Sequence, residues 1–237
     1  MRNYIILNNK DSRDITGLLI QELPPISKPK MRTSVEEIDG RDGDITTKLG
    51  YEAYDKEISI GLYGNYGIDK VIDYFNSEGT VIFSNEPDKY YKYSITEKID
   101  FERLVRFRTA TVTLHCQPFK YSAEEKLLTF TDLTDKKILV NNSGNIYAKP
   151  VITLYGTGTV NLSLNGNQLF VVKMGETTTN ITLDISNMEA YTDSLDNLKN
   201  RAVAGDYDNF KLEIGKNTIT WTGDLTMVTV KNVSRWI

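Results

Sequence analysis

Histidine and cysteine are almost absent from this sequence, which has one residue of each among 237. A single cysteine excludes an intrachain disulfide, and a single histidine excludes metal sites and catalytic triads that need two imidazoles. A chain of this length needs no disulfide or metal site for stability, because it buries roughly 70–75% of the surface that its unfolded form exposes. Hydrophobic residues make up 40% and charged residues 25%, which is the composition of a folded globular protein.

Strong net charge and long apolar runs are lacking as well. The 28 basic and 32 acidic residues give a net charge of −4, which argues against a nucleic-acid partner. No apolar run approaches the roughly 18 residues of a membrane-spanning helix. The N-terminal stretch Tyr4–Leu7 is shorter than the roughly 7–15 apolar residues of a signal peptide. We therefore expect no membrane segment and no leader, and synthesis in a reducing cytoplasm.

The composition changes near residue 135. Residues 1–135 contain 41 charged side chains, whereas residues 136–237 contain 19 and hold 13 of the 19 asparagines. Such a change in surface chemistry predicts two domains, 1–135 and 136–237.

The second part is predicted to be an antiparallel β-sandwich. Its apolar residues alternate with polar ones in short runs, which places each set on one face of a strand. The sets are Ile152/Leu154, Leu162/Leu164, Leu169/Val171, Ile181/Leu183/Ile185, Phe210/Leu212/Ile214, Ile219/Trp221 and Val228/Val230. We read Asn165-Gly166, Gly215–Asn217 and Thr222–Asp224 as turns, and expect a short helical turn around Ser194–Lys199.

The first part is predicted to be β-rich with one helix, so that the whole chain is mainly β with minor α. Ile68, Val71, Ile72 and Phe75 have the spacing of one helical face. Strands are expected over 57–62, 80–84, 90–99 and 107–116, with Tyr91 and Tyr93 closing the edge of the core.

No motif for catalysis or for a cofactor is found. Walker, Rossmann and GxSxG patterns are absent from the sequence. His115 and Cys116 are adjacent, but neighbours on a strand point to opposite faces, so we predict a buried thiol and no dyad. We expect a protein that is not an enzyme and that carries no cofactor or metal.

Residues 40–44 form the most distinctive polar cluster. Gly40, Arg41, Asp42, Gly43 and Asp44 lack the residue order and the closing glutamate of an EF-hand. We interpret them as an ordered hairpin tip between two strands, in which Gly43 adopts a positive φ.

Several segments, taken together and in order, resemble the distal tail proteins of long, non-contractile-tailed bacteriophages. The similarity spans nearly the whole chain and rests on the ordered set rather than on one motif. The segments are 40–43, 69–75, 79–83, 86–91 and 117–121 in the first part, and 142–144, 148–152, 164–166, 215–217 and Arg235-Trp236 in the second.

This resemblance implies a structural hub in the virion tail, assembled in the host cytoplasm. The family's first domain forms a ring, expected here to be a hexamer, and its second is a galectin-like antiparallel β-sandwich. The ring would join the tail tube protein to the tail-tip protein and to receptor-binding proteins. An alternative is a carbohydrate-binding adhesin acting through the sandwich, with Trp221 and Trp236 as its candidate sugar-stacking residues. The second part has no histidine, unlike a galectin sugar site, and we expect both tryptophans to serve in packing.

Overall fold

The chain is described by a computed structural model covering residues 2–40, 42–75, 78–124, 126–177, 179–231 and 234–237. It divides into two compact units, residues 1–123 with Ile237 and residues 124–236. Each unit has its own hydrophobic core.

The first unit is built on an antiparallel sheet with two short helices. The strands are β1 (Ile5–Leu7), β2 (Lys10–Asp11), β3 (Leu18–Glu22), β4 (Met31–Glu37), β5 (Asp44–Tyr51), β6 (Tyr54–Leu62), β7 (Gly79–Phe83), β8 (Lys89–Ser94) and β9 (Thr109–Ser122). The helices are α1 (Ile68–Tyr74) and α2 (Phe101–Phe107), and a 3₁₀ turn covers Ser12–Asp14. The sheet has the order β2-β1-β7-β8-β9-β6-β3, whereas β4 and β5 pair with each other in a separate two-stranded sheet.

Helix α1 confirms the helix predicted from apolar spacing. Val71 and Phe75 are buried, while Ile72 is 36% exposed. Tyr74 also lies in the core, and its hydroxyl donates a hydrogen bond to the carbonyl of Ile5, 3.0 Å away. The buried face is therefore rotated slightly from the predicted one, because a tyrosine can enter a core when its hydroxyl finds an acceptor.

Helix α2 corrects the prediction of a single helix. Phe101, Leu104 and Val105 have the i, i+3, i+4 spacing of a helical face, but the segment is only seven residues long and only Leu104 of it is fully buried. A second signal was its N-cap, because the Asp100 carboxylate accepts a hydrogen bond from the Arg103 amide at 2.8 Å. Strand β8, which precedes this helix, ends at Ser94, whereas the predicted strand extends to residue 99.

The second unit confirms the predicted all-β architecture. In the described part of the chain, its nine-stranded sheet contains β10 (Leu127–Phe130), β11 (Lys137–Asn142), β12 (Val151–Leu164), β13 (Asn167–Lys173), β14 (Thr179–Asp184), β15 (Glu189–Thr192), β16 (Ser194–Leu198), β17 (Val203–Gly205) and β18 (Gly215–Lys231). The short strand β19 (Arg235–Trp236) lies outside this sheet. A 3₁₀ turn covers Asn200–Ala202. The Asn165-Gly166 turn between β12 and β13 has positive φ at both residues, as predicted.

Two long strands, β12 and β18, pair with each other and with different neighbours at their two ends, so they divide the sheet into two halves. The first part of β12 pairs with β14 and its last part with β13, while β18 pairs first with β11 and finally with β10. Their mutual register shifts between Tyr155 and Gly156 and again between Thr157 and Asn161. The sheet folds over at these bulges and encloses its core, which contains Leu154 from one half and Leu162 from the other.

The long strands also correct three sequence predictions. Thr222–Asp224 is not a turn but an irregular part of β18, and Gly215–Asn217 begins that strand. A glycine in a strand can mark a bulge as well as a turn, and only the pairing partner distinguishes the two. The run Phe210–Ile214 is not a strand, although Leu212 makes an isolated bridge with Ala148.

The segment around Ser194–Lys199 also differs from its prediction. It forms strand β16 at the edge of the sheet, and the helical turn follows at Asn200–Ala202. All five residues of β16 are exposed, and their sequence lacks the apolar alternation that predicts a strand.

The division between the units comes earlier than the composition change at 135. Strand β10 pairs with β18 over Leu127–Phe130, and Leu128 and Phe130 pack on the second core. The charge-rich surface thus continues past the division between the units, up to about residue 135. Surface composition does not show which core a strand packs on, so it places the boundary too late.

Candidate functional site

The predicted polar loop lies at the tip of the β4–β5 hairpin. Gly40 and Gly43 have φ values of 79° and 80°, as a tight tip containing glycine requires. The hydroxyl of Thr46 donates to the Asp44 carboxylate, 3.0 Å away, at the start of β5. Asp42 is exposed, and Arg41 lies outside the described residues.

This hairpin leaves apolar side chains in solvent on both faces. Val35 is 56% exposed and stands opposite Thr46, while Ile45 stands opposite Glu36 on the other face and is 37% exposed. Leu49, at the register shift of the hairpin, is 57% exposed. Among the described residues, β4 and β5 pair only with each other. An isolated two-stranded hairpin is marginally stable in water, so this one is suited to gain stability from a partner.

The tip of the hairpin is acidic. Glu36 and Glu37 end β4, Asp44 begins β5, and Asp39 and Asp42 lie between them, all of them exposed. Like charges at this density repel one another, so a cationic surface would bind here with a gain in electrostatic energy.

A second exposed surface in the same unit combines apolar and basic side chains. On α2, Phe107 is 64% and Val105 39% exposed. Arg103 and Arg106 are exposed on the same helix, and Arg108 follows it at a positive φ of 61°. We call Arg103–Arg108 the α2 patch. Its aromatic and arginine content is typical of the centre of a protein interface.

A buried charge pair joins the turn before β8 to strand β9. Lys120 Nζ is 2.7 Å from Glu86 Oε1, and these side chains are only 8% and 12% exposed. The Tyr91 hydroxyl donates to the other Glu86 oxygen at 2.8 Å. The carboxylate therefore has a partner on each oxygen, which a buried charge requires. Tyr91 and Tyr93, predicted to close the edge of the core, are both buried.

Lys56 is a second buried cation next to this pair. It is 3% exposed, its ammonium donates to the Pro25 carbonyl at 3.2 Å, and it lies 4.8 Å from the ring centre of Tyr91. Burial lowers the pKa of Lys56. The carbonyl and the ring face replace part of its lost hydration.

His115 and Cys116 point to opposite faces of β9. His115 Nδ1 lies 2.7 Å from Asp55 Oδ1 at the surface, whereas Cys116 is fully buried. Burial raises the pKa of the Cys116 thiol to about 12, which disfavours the nucleophilic thiolate. Within the described residues no group of three or more acidic, histidine or cysteine side chains is arranged to hold a metal ion.

The two tryptophans differ in accessibility. Trp221 lies in the second core with 4% of its surface exposed, so its ring is not available to a sugar. Trp236 is half-buried in the short strand β19.

No helix in the described part of the chain is long and apolar enough to cross a membrane.

Comparisons with known proteins relate this architecture to phage tails. Residues 10–116 match the family of phage tail protein RIFT-related domains. A comparison with curated proteins gave no significant match.

Two solved structures resemble the chain over almost its full length. The Dit protein of phage SPP1, a hub of the adsorption apparatus in phages that infect Gram-positive bacteria, has a TM-score of 0.66 at 17% identity and covers 98% of this chain and 99% of its own. A chain of the phage P2 baseplate in its activated conformation with calcium has a TM-score of 0.51 at 10% identity, with 98% and 97% covered. The resemblance to distal tail proteins of long-tailed phages is therefore confirmed, since residues 10–116 match the phage tail protein RIFT-related domain and the chain has the fold of SPP1 Dit.

Proposed function

We propose that this protein is a structural subunit of the hub at the distal end of a phage tail. In this role six copies form a ring that joins the tail tube protein to the tail-tip protein and to receptor-binding proteins. The tail domain in residues 10–116 and the full-length fold of a hub protein support this role. The chain assembles in the host cytoplasm and acts in the virion without catalysing a reaction.

The β4–β5 hairpin is the observation that carries the proposal. It extends apolar residues and an acidic tip into solvent, and pairs with no other strand of the described chain. The α2 patch offers exposed Phe107 and Val105 beside Arg103 and Arg106. We assign the hairpin of one copy to the α2 patch of the next, because their charges are opposite and both expose apolar surface.

Such a contact joins two different surfaces of identical subunits. Contacts of this kind are head-to-tail and generate a closed ring when the rotation between neighbours divides the circle. A two-fold dimer would make the same hairpin-to-patch pairing twice in one interface, so the number of subunits in the assembly distinguishes a ring from a dimer.

Charge reversal on each surface tests the contact. We expect native mass spectrometry and negative-stain images of the full chain to show six-membered rings. The variant Glu36→Lys/Glu37→Lys should lose them, and so should Arg103→Glu/Arg106→Glu. The chain carrying all four substitutions regains complementary surfaces and should reassemble, since its basic hairpin meets an acidic patch.

Control variants distinguish this contact from a general charge effect. Lys173 and Lys199 are exposed in the second unit, and reversing both should leave the rings intact. A wild-type chain that stays monomeric at every concentration would contradict the ring. Rings that survive both reversals would contradict the proposed contact while leaving the ring itself standing.

A further inference from the structure

The outer face of the second unit carries a cleft that neither Trp221 nor Trp236 lines. Strands β12, β14 and β15 line most of it, with β18 and β10 at one side, and its volume is about 390 Å³. This volume falls within the range of roughly 300–1,000 Å³ that is usual for small-molecule sites.

Strand register places polar side chains side by side across the floor of the cleft. Thr229 of β18 is opposite Thr153 of β12, which is opposite Thr182 of β14, which is opposite Tyr191 of β15. These residues alternate with core residues such as Ile152 and Leu183, so all four side chains point to the outer face. The floor is therefore a row of hydroxyl groups ending at an aromatic ring.

A second row borders the first along the same face. Tyr155 of β12 is opposite Asn180 of β14, two residues from Thr153 and Thr182 respectively. Asn180 Nδ2 donates to Asp193 Oδ1 at 2.8 Å, and Asp193 follows β15 at a positive φ of 62°. The amide and the carboxylate therefore hold each other in place at the end of this row. The two tyrosines lie in different rows, and both are half-buried.

The polar groups of the floor are fixed before any ligand arrives. The hydroxyl oxygens of Thr153 and Thr182 lie 2.9 Å apart and share one hydrogen bond. Because a hydroxyl has one proton and two lone pairs, such a pair still offers a donor or acceptor to a ligand. The Tyr191 phenol is neutral at physiological pH and can donate, and burial raises its pKa further above the ordinary value of 10.0. Binding here costs little ordering of side chains.

We propose that this cleft binds a neutral saccharide. Aromatic rings pack against the apolar C–H faces of a sugar, while hydroxyl, amide and carboxylate groups satisfy its hydroxyls. A protein partner is the weaker fit, since interface centres are apolar and this floor consists of threonines. One acid, Asp193, and one base, Lys231, line the cleft and leave it without a strong charge of either sign. The proposal goes beyond the hub role and does not depend on ring formation.

Ligand-observed NMR with the full-length chain tests this site. The probes are neutral disaccharides at millimolar concentration: maltose, lactose, cellobiose and chitobiose. We expect at least one to bind, and Tyr155→Ala and Tyr191→Ala each to weaken it about tenfold, the loss of one aromatic contact. Tyr191→Phe keeps the ring and should retain most of the affinity.

Two controls keep the result interpretable. Tyr63→Ala removes a tyrosine that is 51% exposed in the first unit and should leave binding unchanged. Circular dichroism and melting confirm that each variant is folded. The proposal fails if no disaccharide binds, if binding is indifferent to both cleft tyrosines, or if Tyr63→Ala weakens it equally.

Discussion

At the scale of single residues, the buried charges of the first unit are the strongest constraint on substitution. One carboxylate oxygen of Glu86 pairs with the Lys120 ammonium, and the other accepts a hydrogen bond from the Tyr91 hydroxyl. The side chains of Glu86 and Lys120 are both largely buried. A pair of this kind adds little net stability over an apolar replacement, but removing one partner leaves an uncompensated charge. Its effect is therefore to fix β8 against β9 rather than to increase stability.

Lys120→Met should lower the free energy of unfolding by about 3 kcal/mol, because the Glu86 carboxylate then loses its cation. Lys120→Met/Glu86→Gln should recover most of the loss, since a neutral amide needs no counter-charge and still accepts from Tyr91. Urea unfolding followed by fluorescence measures both variants. A double variant that is no more stable than the single one would show that the uncompensated Glu86 carboxylate is not the cause of the loss.

Cys116 gives a pH dependence whose sign can be worked out. Its folded pKa is about 12, against 9.0 for an unperturbed thiol, because burial disfavours the thiolate. Between these values the unfolded state releases a proton that the folded state keeps, so stability falls as the pH rises above 9. Cys116→Ala should be less stable at neutral pH but should lose less stability on going to higher pH. Parallel loss in both proteins between pH 9 and 12 would contradict the assignment.

At the scale of elements, the bulges in β12 and β18 decide how the second unit folds over. Gly223 sits at φ 97°, and a Cβ there would lie 2.4 Å from the Thr159 carbonyl oxygen. The two strands approach so closely at this point that only glycine fits.

Gly223→Ala should therefore destabilise the second unit by more than the roughly 1–3 kcal/mol of backbone strain alone. Gly215→Ala is the matched control, because Gly215 also has a positive φ of 87° but has open space around its Cβ position. It should show the strain without the steric clash. Equal losses of stability in the two variants would mean that the close approach at Gly223 is relieved by movement of the backbone.

Elements with a buried face were predictable, and exposed elements were not. Helix α1 and most core strands follow from apolar spacing, because each buries a periodic set of side chains. Helix α2 has only seven residues, which is too short for a clear period, and strand β16 is exposed along its whole length. The hairpin tip at 40–44 was recognised by its glycines, but the isolation of β4 and β5 from the main sheet depends on pairing that the sequence does not reveal.

At the scale of the whole molecule, the two units have separate cores, and the boundary between them can be tested with fragments. Residues 124–237 contain β10, whose Leu128 and Phe130 pack on the second core, whereas residues 136–237 lack it. The longer fragment should unfold cooperatively at a higher temperature than the shorter one, because it buries more apolar surface. Differential scanning calorimetry makes the comparison. Equal melting temperatures would support a boundary near 135.

The sequence by itself determined the class of the fold, the absence of familiar catalytic motifs and the resemblance to phage distal tail proteins. These follow from composition, from the period of buried residues and from an ordered set of local segments, all of which are written along the chain. The tertiary structure decided that Trp221 is buried, and it brought Tyr155, Asn180 and Tyr191 into one cleft. It also left the β4–β5 hairpin exposed. These features depend on which strands pair and in what register, and the contacts that set the register join residues far apart in the chain. The scarcity of histidine and cysteine fits this division, since the proposed work of the protein is done by surfaces that only the folded chain assembles.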